Sequence, residues 1–233
     1  MTNKENMISY LKESTERTAR AMNEKRVLNK IPLVFKDEMV GNVDVDAVFD
    51  RVESLVPNEF FYNIEMVYVG QFEEMLERDI NAYFKDGVIY VSNTQDDVED
   101  MVDDIVHEIA HAVEDEHGME LYSDGKLENE FLIKRGQLKR KLELHGHPTD
   151  YQDFSEAEFD QDFDEYLYMD IGYPTLAPLT SDIFYSPYAA TSLREYFANG
   201  FEAYFHKRDL KSLKNLSPAI YNKIVDLTEK IVQ

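Results

Sequence analysis

A His-Glu-x-x-His pattern at residues 107–111 carries the clearest chemistry in the sequence. The spacing of apolar residues around it predicts a helix over residues 96–118. Residues four apart on a helix lie one turn above each other on one face, so His107 and His111 can bind the same metal ion. Glu108 can reach a water molecule on that metal. The pattern therefore predicts two zinc ligands and a general base.

A catalytic zinc ion commonly has three protein ligands, and the sequence offers three candidates for the third. His117 follows His111 by six residues, but Glu114 stands where a glycine would be needed to turn the chain. On an unbroken helix His117 would point away from the metal. Asp115 lies one turn beyond His111, but its side chain is short, so it either holds an imidazole in position or is simply an exposed acid.

Glu195 is the favoured third ligand. It lies in a predicted helix over residues 191–208, with a buried aromatic stripe. The same spacing has a second interpretation, because Ser192-x-x-Glu195 also fits a capping box in which the glutamate closes the start of the helix. Spacing alone leaves the two interpretations open.

Two segments together resemble a known family of zinc peptidases. Residues 107–115 and the segment Glu195-Tyr196-Phe197-Ala198 resemble the catalytic domain of anthrax lethal factor and the related Pro-Pro endopeptidases. The resemblance covers about residues 31–118 and 180–233. It implies that Glu195 is the third ligand of one zinc ion. It also implies that Tyr188, seven residues earlier, assists catalysis.

The resemblance also implies an α+β, zincin-like fold. Its small mixed sheet would have an edge strand beside the active-site helix, and a mostly helical part would follow. One catalytic domain would then span residues 31–233, preceded by a helical arm over residues 1–30. The expected function is a zinc-dependent metalloendopeptidase that acts on a peptide or protein substrate, with Tyr188 donating a hydrogen bond to the oxyanion. A catalytically inactive zincin-like binding or regulatory protein is the alternative.

The chain departs from the family in two places. The family often repeats a glutamate one turn after the ligand, where this chain has Asn199, and Glu202 is a candidate substitute. The separation between His111 and Glu195 is also longer than is usual in the family. The surplus is a charged region at about residues 119–170, which we interpret as an insertion, so the family's substrate preferences do not transfer.

The remaining pattern predicts the elements that position these residues. Strands are predicted over 31–35 and 62–69, with a hairpin at Asp86-Gly87 between the runs 81–84 and 88–92. Helices are predicted over 3–29, 43–55, 71–80, 126–144 and from Ser217-Pro218 towards Ile231, and a loop over 172–187. The basic residues of 126–144, which include Lys134 and Arg135, and the acidic run 151–170 are interpreted as solvated faces.

Composition limits the class of protein. The chain has 233 residues, 43% of them hydrophobic, which is enough for the core of one domain. It has no cysteine, so a metal must be held by histidine, aspartate or glutamate. The net charge of −23 argues against nucleic acid and anionic membranes as partners. No signal peptide or membrane-length apolar run is visible, which predicts a soluble cytoplasmic protein.

Overall fold

The computed structural model describes residues 24–232, which form a mixed α+β structure. The strands are β1 (Glu24–Val27), β2 (Ile31–Phe35), β3 (Met66–Val69), β4 (Ala82–Lys85) and β5 (Val88–Val91). The first three helices are α1 (Val45–Leu55), α2 (Glu73–Arg78) and α3 (Val98–Tyr122), which carries the motif. The helices that follow α3 are α4 (Lys126–Leu144), α5 (Gln161–Glu165), α6 (Tyr173–Thr180), α7 (Leu193–Phe205), α8 (Leu210–Leu216) and α9 (Pro218–Ile231). A π-helical segment, Tyr166–Ile171, follows α5 directly.

The five strands form one open sheet in the order β1-β2-β3-β5-β4. The pairs β2–β3 and β3–β5 are parallel, whereas β1 and β4 run antiparallel to their neighbours. The β4–β5 hairpin turns at Asp86 and Gly87, whose φ angles of 50° and 79° suit the two-residue turn predicted from the Asp-Gly pair. Its edge strand β4 packs against α3, the helix that carries the motif.

The motif helix α3 lies at the centre of the molecule. It packs on α7, α1 and the hairpin, and its residues Met101, Val102, Ile105 and Ile109 have no exposed surface. The Asp97 side chain caps its start by accepting a hydrogen bond from the Asp100 amide. The helix therefore begins at Val98, two residues after the predicted start at residue 96. It also runs through Gly118 to Tyr122, with a kink at His117, so the predicted stop at Gly118 is wrong.

Close packing also fixes α7, the second helix of the candidate site. A Cβ atom at Gly200 would collide with the side chain of Ile220 on α9, so the two helices approach at a position that only glycine permits. The rings of Phe201 and Phe205 are tilted against each other with their centres 4.6 Å apart, and both contact Phe60, a buried residue of the short 3₁₀ turn Asn58–Phe61. These contacts hold α7 against α9 and against the 3₁₀ turn.

Several predicted elements differ from the structure. The helix predicted over residues 3–29 is wrong for Glu24–Val27, which form β1 and pair with β2; residues 3–23 lie outside the described part. The sheet therefore includes residues on both sides of residue 30, where the arm was predicted to end and the catalytic domain to begin. The strand predicted over 62–69 is confined to Met66–Val69, and the loop predicted over 172–187 contains α6.

The region at 119–170 is packed into the structure more deeply than its charges indicate. Lys134 and Arg135 of α4 are 5% and 1% exposed, so the prediction of a solvated face is wrong for them. The Lys134 ammonium group donates to the Leu216 carbonyl at 2.7 Å and to the Ile183 carbonyl, while the Arg135 guanidinium lies 3.7 Å from the centre of the Phe163 ring. Both side chains bury their long alkyl stems, and their charged ends donate hydrogen bonds to backbone carbonyl groups. This makes the two positions compatible with the core.

None of the helices among residues 24–232 combines the length and apolar character needed to cross a bilayer.

Candidate metal centre

The two histidines of the motif and Glu195 meet between α3 and α7. One carboxylate oxygen of Glu195 lies 2.9 Å from Nε2 of His107, and the other lies 3.5 Å from Nε2 of His111. The two imidazole rings are 4.9 Å apart, as expected for residues one helical turn apart. The structure thus brings together the three residues that the sequence proposes as metal ligands.

The donor atoms of these residues suit a small divalent cation. One donor atom from each of His107, His111 and Glu195 lies within 4.8 Å of the others. Within residues 24–232, these three residues form the group of histidine and acidic side chains that could hold a metal ion. Zinc binds histidine nitrogen and carboxylate oxygen at about 2.0–2.2 Å in tetrahedral geometry, which places neighbouring ligand atoms roughly 3.3 Å apart. The contacts of 2.9 and 3.5 Å are made to the two different oxygens of the Glu195 carboxylate, so both histidine nitrogens lie within reach of an ion held by this carboxylate. Two neutral nitrogens and one carboxylate also form a common catalytic zinc set.

Glu195 takes part in the helix cap through its backbone amide but not through its side chain. Ser192 is the cap of α7, and its hydroxyl accepts a hydrogen bond from the Glu195 amide at 3.2 Å. In a full capping box the glutamate side chain would fold back towards the serine amide. Here the Glu195 carboxylate points instead at His107 and His111. The backbone of Glu195 therefore serves the cap while its carboxylate remains with the histidines.

Electrostatic effects in the site are strong because the groups are shielded from solvent. Burial disfavours an ionised Glu195, but its hydrogen bonds with His107 and His111 dominate and hold its pKa well below the usual range. Burial likewise disfavours protonation of His111, whereas Glu114 and Glu195 raise its pKa to about 9. A site with this excess of carboxylates favours positive charge, either protons on the imidazoles or a bound cation.

Glu108 belongs to the motif helix α3, and its side chain lies beside the edge strand β4. It is 6% exposed, and burial raises its pKa, while the two histidines and the backbone of Phe84 in β4 act in the opposite direction. A buried glutamate with a raised pKa is suited to take up and release a proton near neutral pH. The sequence predicted this residue as the general base, and the structure places it beside both histidines.

Tyr188 lies on the short 3₁₀ turn Tyr188–Ala190, which precedes α7. Its ring centre is 6.5 Å from that of His107. Burial raises the pKa of its hydroxyl, and Glu195 and Asp164 raise it further, so Tyr188 is a neutral hydrogen-bond donor at physiological pH. The structure therefore places Tyr188 near His107.

The second nitrogen of His107 is held by a carboxylate. Glu202, 7% exposed on α7, places an oxygen 2.7 Å from Nδ1 of His107, and Lys207 lies 3.2 Å from its other oxygen. Asn199, where the family repeats a glutamate, instead donates to the Glu195 carbonyl at 3.1 Å. The suggestion that Glu202 substitutes for that glutamate agrees with this geometry.

The second nitrogen of His111 faces a residue that the sequence reasoning missed. Glu114 lies 3.5 Å from Nδ1 of His111, whereas Asp115 is exposed and lies 3.5 Å from the Asn63 amide. Of the two interpretations of Asp115, the structure agrees with the exposed acid. Glu114 is three residues after His111, and the helical spacing that favoured position i+4 applies equally to i+3. Only its burial distinguishes the two, and burial is decided by packing against α7.

His117 takes no part in the site. It lies at the kink of α3 and lines a surface depression with Phe60, Asn63 and Ala112, apart from the group of His107, His111 and Glu195. Its exclusion from the ligand set on helical geometry agrees with this position.

Asp164 is a second residue that the sequence did not single out. It belongs to α5, in the acidic run, and its charge raises the pKa of both Tyr188 and Tyr173. One of its carboxylate oxygens is buried without a hydrogen-bond partner within the described residues. Burial, followed by the charge of Glu195, raises its own pKa. Part of the acidic run therefore faces the candidate site and not only solvent.

No family model, curated protein or solved structure matches the chain.

Proposed function

We propose that this protein is a zinc-dependent metalloendopeptidase with a zincin-like fold, similar to the lethal factor and Pro-Pro endopeptidase family. One observation carries the proposal: the Glu195 carboxylate reaches both His107 and His111, with Glu108 buried beside them. A structural metal site has no use for a general base, whereas a hydrolytic site requires one. The mixed sheet, the antiparallel edge strand and the helical second half are compatible with that fold.

His107, His111 and Glu195 would hold one zinc ion. When bound, zinc acts as a Lewis acid that polarises a carbonyl group and makes a water molecule acidic near neutral pH. Glu108, whose pKa is raised by burial, accepts the proton of the attacking water and delivers it to the leaving amine. Tyr188 donates a hydrogen bond to the negative charge that develops on the substrate oxygen.

The substrate would be a peptide or protein segment in extended conformation. Strand β4 is the edge of the described sheet, is paired on one side only, and packs on α3 next to Glu108. An unpaired strand edge can bind an extended peptide through main-chain hydrogen bonds. The strongly negative chain favours encounter with basic peptides.

The proposal is tested by cleavage of a peptide library with purified protein, with and without a chelator. Hydrolysis that disappears with the chelator and returns with zinc supports it. Glu108→Gln is expected to abolish hydrolysis while zinc remains bound, and the exposed Glu116→Gln on the same helix serves as the matched control. Zinc binding without hydrolysis of any peptide would favour the inactive, zincin-like binding protein instead.

A further inference from the structure

Glu114 is contacted by three hydrogen-bonding side chains, two from its own helix α3 and one from α7. Its carboxylate lies 3.5 Å from Nδ1 of His111, accepts the Tyr122 hydroxyl at 2.5 Å and accepts Nε of Arg194 at 2.7 Å. It is 6% exposed. A buried carboxylate is tolerated only when its oxygens are fully hydrogen-bonded, so these donors form one connected unit.

Two features of the fold assemble this unit. The kink of α3 at His117 lies between Glu114 and Tyr122, and the last turn of the helix brings the tyrosine hydroxyl back to the carboxylate. Arg194 comes from α7 and immediately precedes Glu195 in the sequence. The ion pair of Arg194 with Glu114 therefore joins the start of α7 to the motif helix, beside the third proposed ligand.

The same arrangement occurs around the other histidine. Nδ1 of His107 meets Glu202, and Glu202 is paired on its far side with Lys207. In both cases Nδ1 faces a carboxylate and Nε2 faces Glu195. A carboxylate that accepts the Nδ1 proton leaves the Nε2 lone pair free for a metal and fixes the orientation of the ring.

We infer that Glu114, held by Arg194 and Tyr122, is a positioning residue for His111, and that Arg194 couples the placement of His111 to that of Glu195. The inference rests on the proposed zinc site. Glu114 fixes the tautomer and the ring orientation of His111. Arg194 holds the Glu114 carboxylate in place through its 2.7 Å contact and is itself the residue next to Glu195, so its loss is expected to disturb the placement of both His111 and Glu195.

The test measures the zinc dissociation constant by competition with a chromophoric chelator for the wild-type chain, Glu114→Gln, Arg194→Ala and the double variant. Loss of such an outer partner typically weakens metal binding about 10–100-fold, and each single variant is expected in that range. Because the two residues act as one unit, the double variant is expected to bind zinc about as well as the weaker single variant. Glu116→Gln and Arg140→Ala change the same charges at exposed positions and are expected to leave affinity unchanged.

A purely structural role is separated from positioning by two further measurements. The thermal midpoint of each zinc-free variant reports stability, and the visible absorption spectrum of the cobalt-loaded protein reports ligand geometry. Tyr122→Phe removes one donor with little change in packing and is expected to weaken zinc binding several-fold, which keeps the test available if Glu114→Gln does not fold. Arg194→Lys, which retains the charge, is expected to restore part of the affinity.

The outcomes distinguish the two proposals. A wild-type chain that binds no zinc overturns the proposed function and the inference with it. A wild-type chain that binds zinc, with unchanged affinity and cobalt spectrum in Glu114→Gln, Arg194→Ala and Tyr122→Phe, overturns the inference alone. Simple addition of the two single effects in the double variant overturns the coupling through Arg194.

Discussion

The Glu195 carboxylate lies 2.9 Å from Nε2 of His107, although the two residues are 88 positions apart in the chain. This contact joins α3 to α7, the pair of helices with the most extensive mutual packing in the described structure. It also uses the side chain of a residue whose backbone amide is already part of the helix cap. The candidate site therefore depends on the same interface that holds the second half of the molecule against the first.

Two substitutions at the start of α7 separate metal binding from capping. Glu195→Ala is expected to weaken zinc binding by several orders of magnitude, because it removes a proposed ligand, with a small effect on the helix. Ser192→Ala is expected to lower the free energy of unfolding by about 1 kcal/mol, because it removes the acceptor for the Glu195 amide, and to leave zinc affinity nearly intact. Zinc titration and chemical denaturation check both. The reverse pattern would make Glu195 a cap only.

Glu202 is expected to tune the affinity of the site through His107. Glu202→Gln removes the negative charge 2.7 Å from Nδ1, so zinc binding is expected to weaken about 10–100-fold. Glu99→Gln, an exposed change on α3, is the matched control. Isothermal titration with zinc measures the difference, and equal affinities for the two variants would contradict a role for Glu202.

Tyr188→Phe is expected to lower kcat about 10²–10³-fold with little change in KM, because a donor to the developing oxyanion acts in the transition state. Tyr185→Phe is the control, since its hydroxyl donates to the Asp209 carbonyl, 3.1 Å away, and not into the site. Steady-state kinetics on a peptide found in the library screen provides the measurement. A loss confined to KM would show that Tyr188 binds substrate without assisting the chemical step.

Asp104 is expected to make stability depend on pH. Burial raises its pKa to about 7, against the hydrogen bond donated by Gln95 at 3.0 Å. Between about pH 4 and 7 the folded chain then binds a proton that the unfolded chain releases, so this group lowers stability as pH rises through that range. Asp104→Asn is expected to flatten that slope and to raise the free energy of unfolding at neutral pH by roughly 1–3 kcal/mol.

Chemical denaturation of zinc-free protein at a series of pH values checks the effect of Asp104. Asp96→Asn, at an exposed position before the same helix, is expected to leave the slope unchanged. A wild-type profile that rises from pH 4 to 7 and is unaltered by Asp104→Asn would contradict the prediction.

Lys134 is expected to be a stability residue despite its charge. Lys134→Ala leaves the Leu216 and Ile183 carbonyls and the Ser217 hydroxyl without their donor inside the core, so a loss of about 3 kcal/mol or more is expected. Lys139→Ala, on the same helix but half-exposed, is expected to change stability by less than about 0.5 kcal/mol. Denaturant unfolding compares the two, and equal losses would show that burial of Lys134 is not required.

The parts of the site that follow from local geometry could be predicted from the order of residues along the chain. The four-residue spacing of His107 and His111 places both on one face of any helix, and Asp86-Gly87 favours a tight hairpin wherever it occurs. Helix α4 begins and ends where the pattern predicted. These features depend on neighbours along the chain, so no knowledge of the fold was needed to predict them.

The roles of the remaining polar residues depend on how the helices and strands pack together. Whether Glu195 caps α7 or meets the histidines, whether Glu114 or Asp115 faces His111, and whether Lys134 lies in solvent or in the core all depend on contacts between distant elements. Spacing fits both Glu114 and Asp115, because a helix presents i+3 and i+4 on the same side, and it fits both uses of Glu195. Burial separates them, and burial is a property of packing between helices and not of sequence spacing.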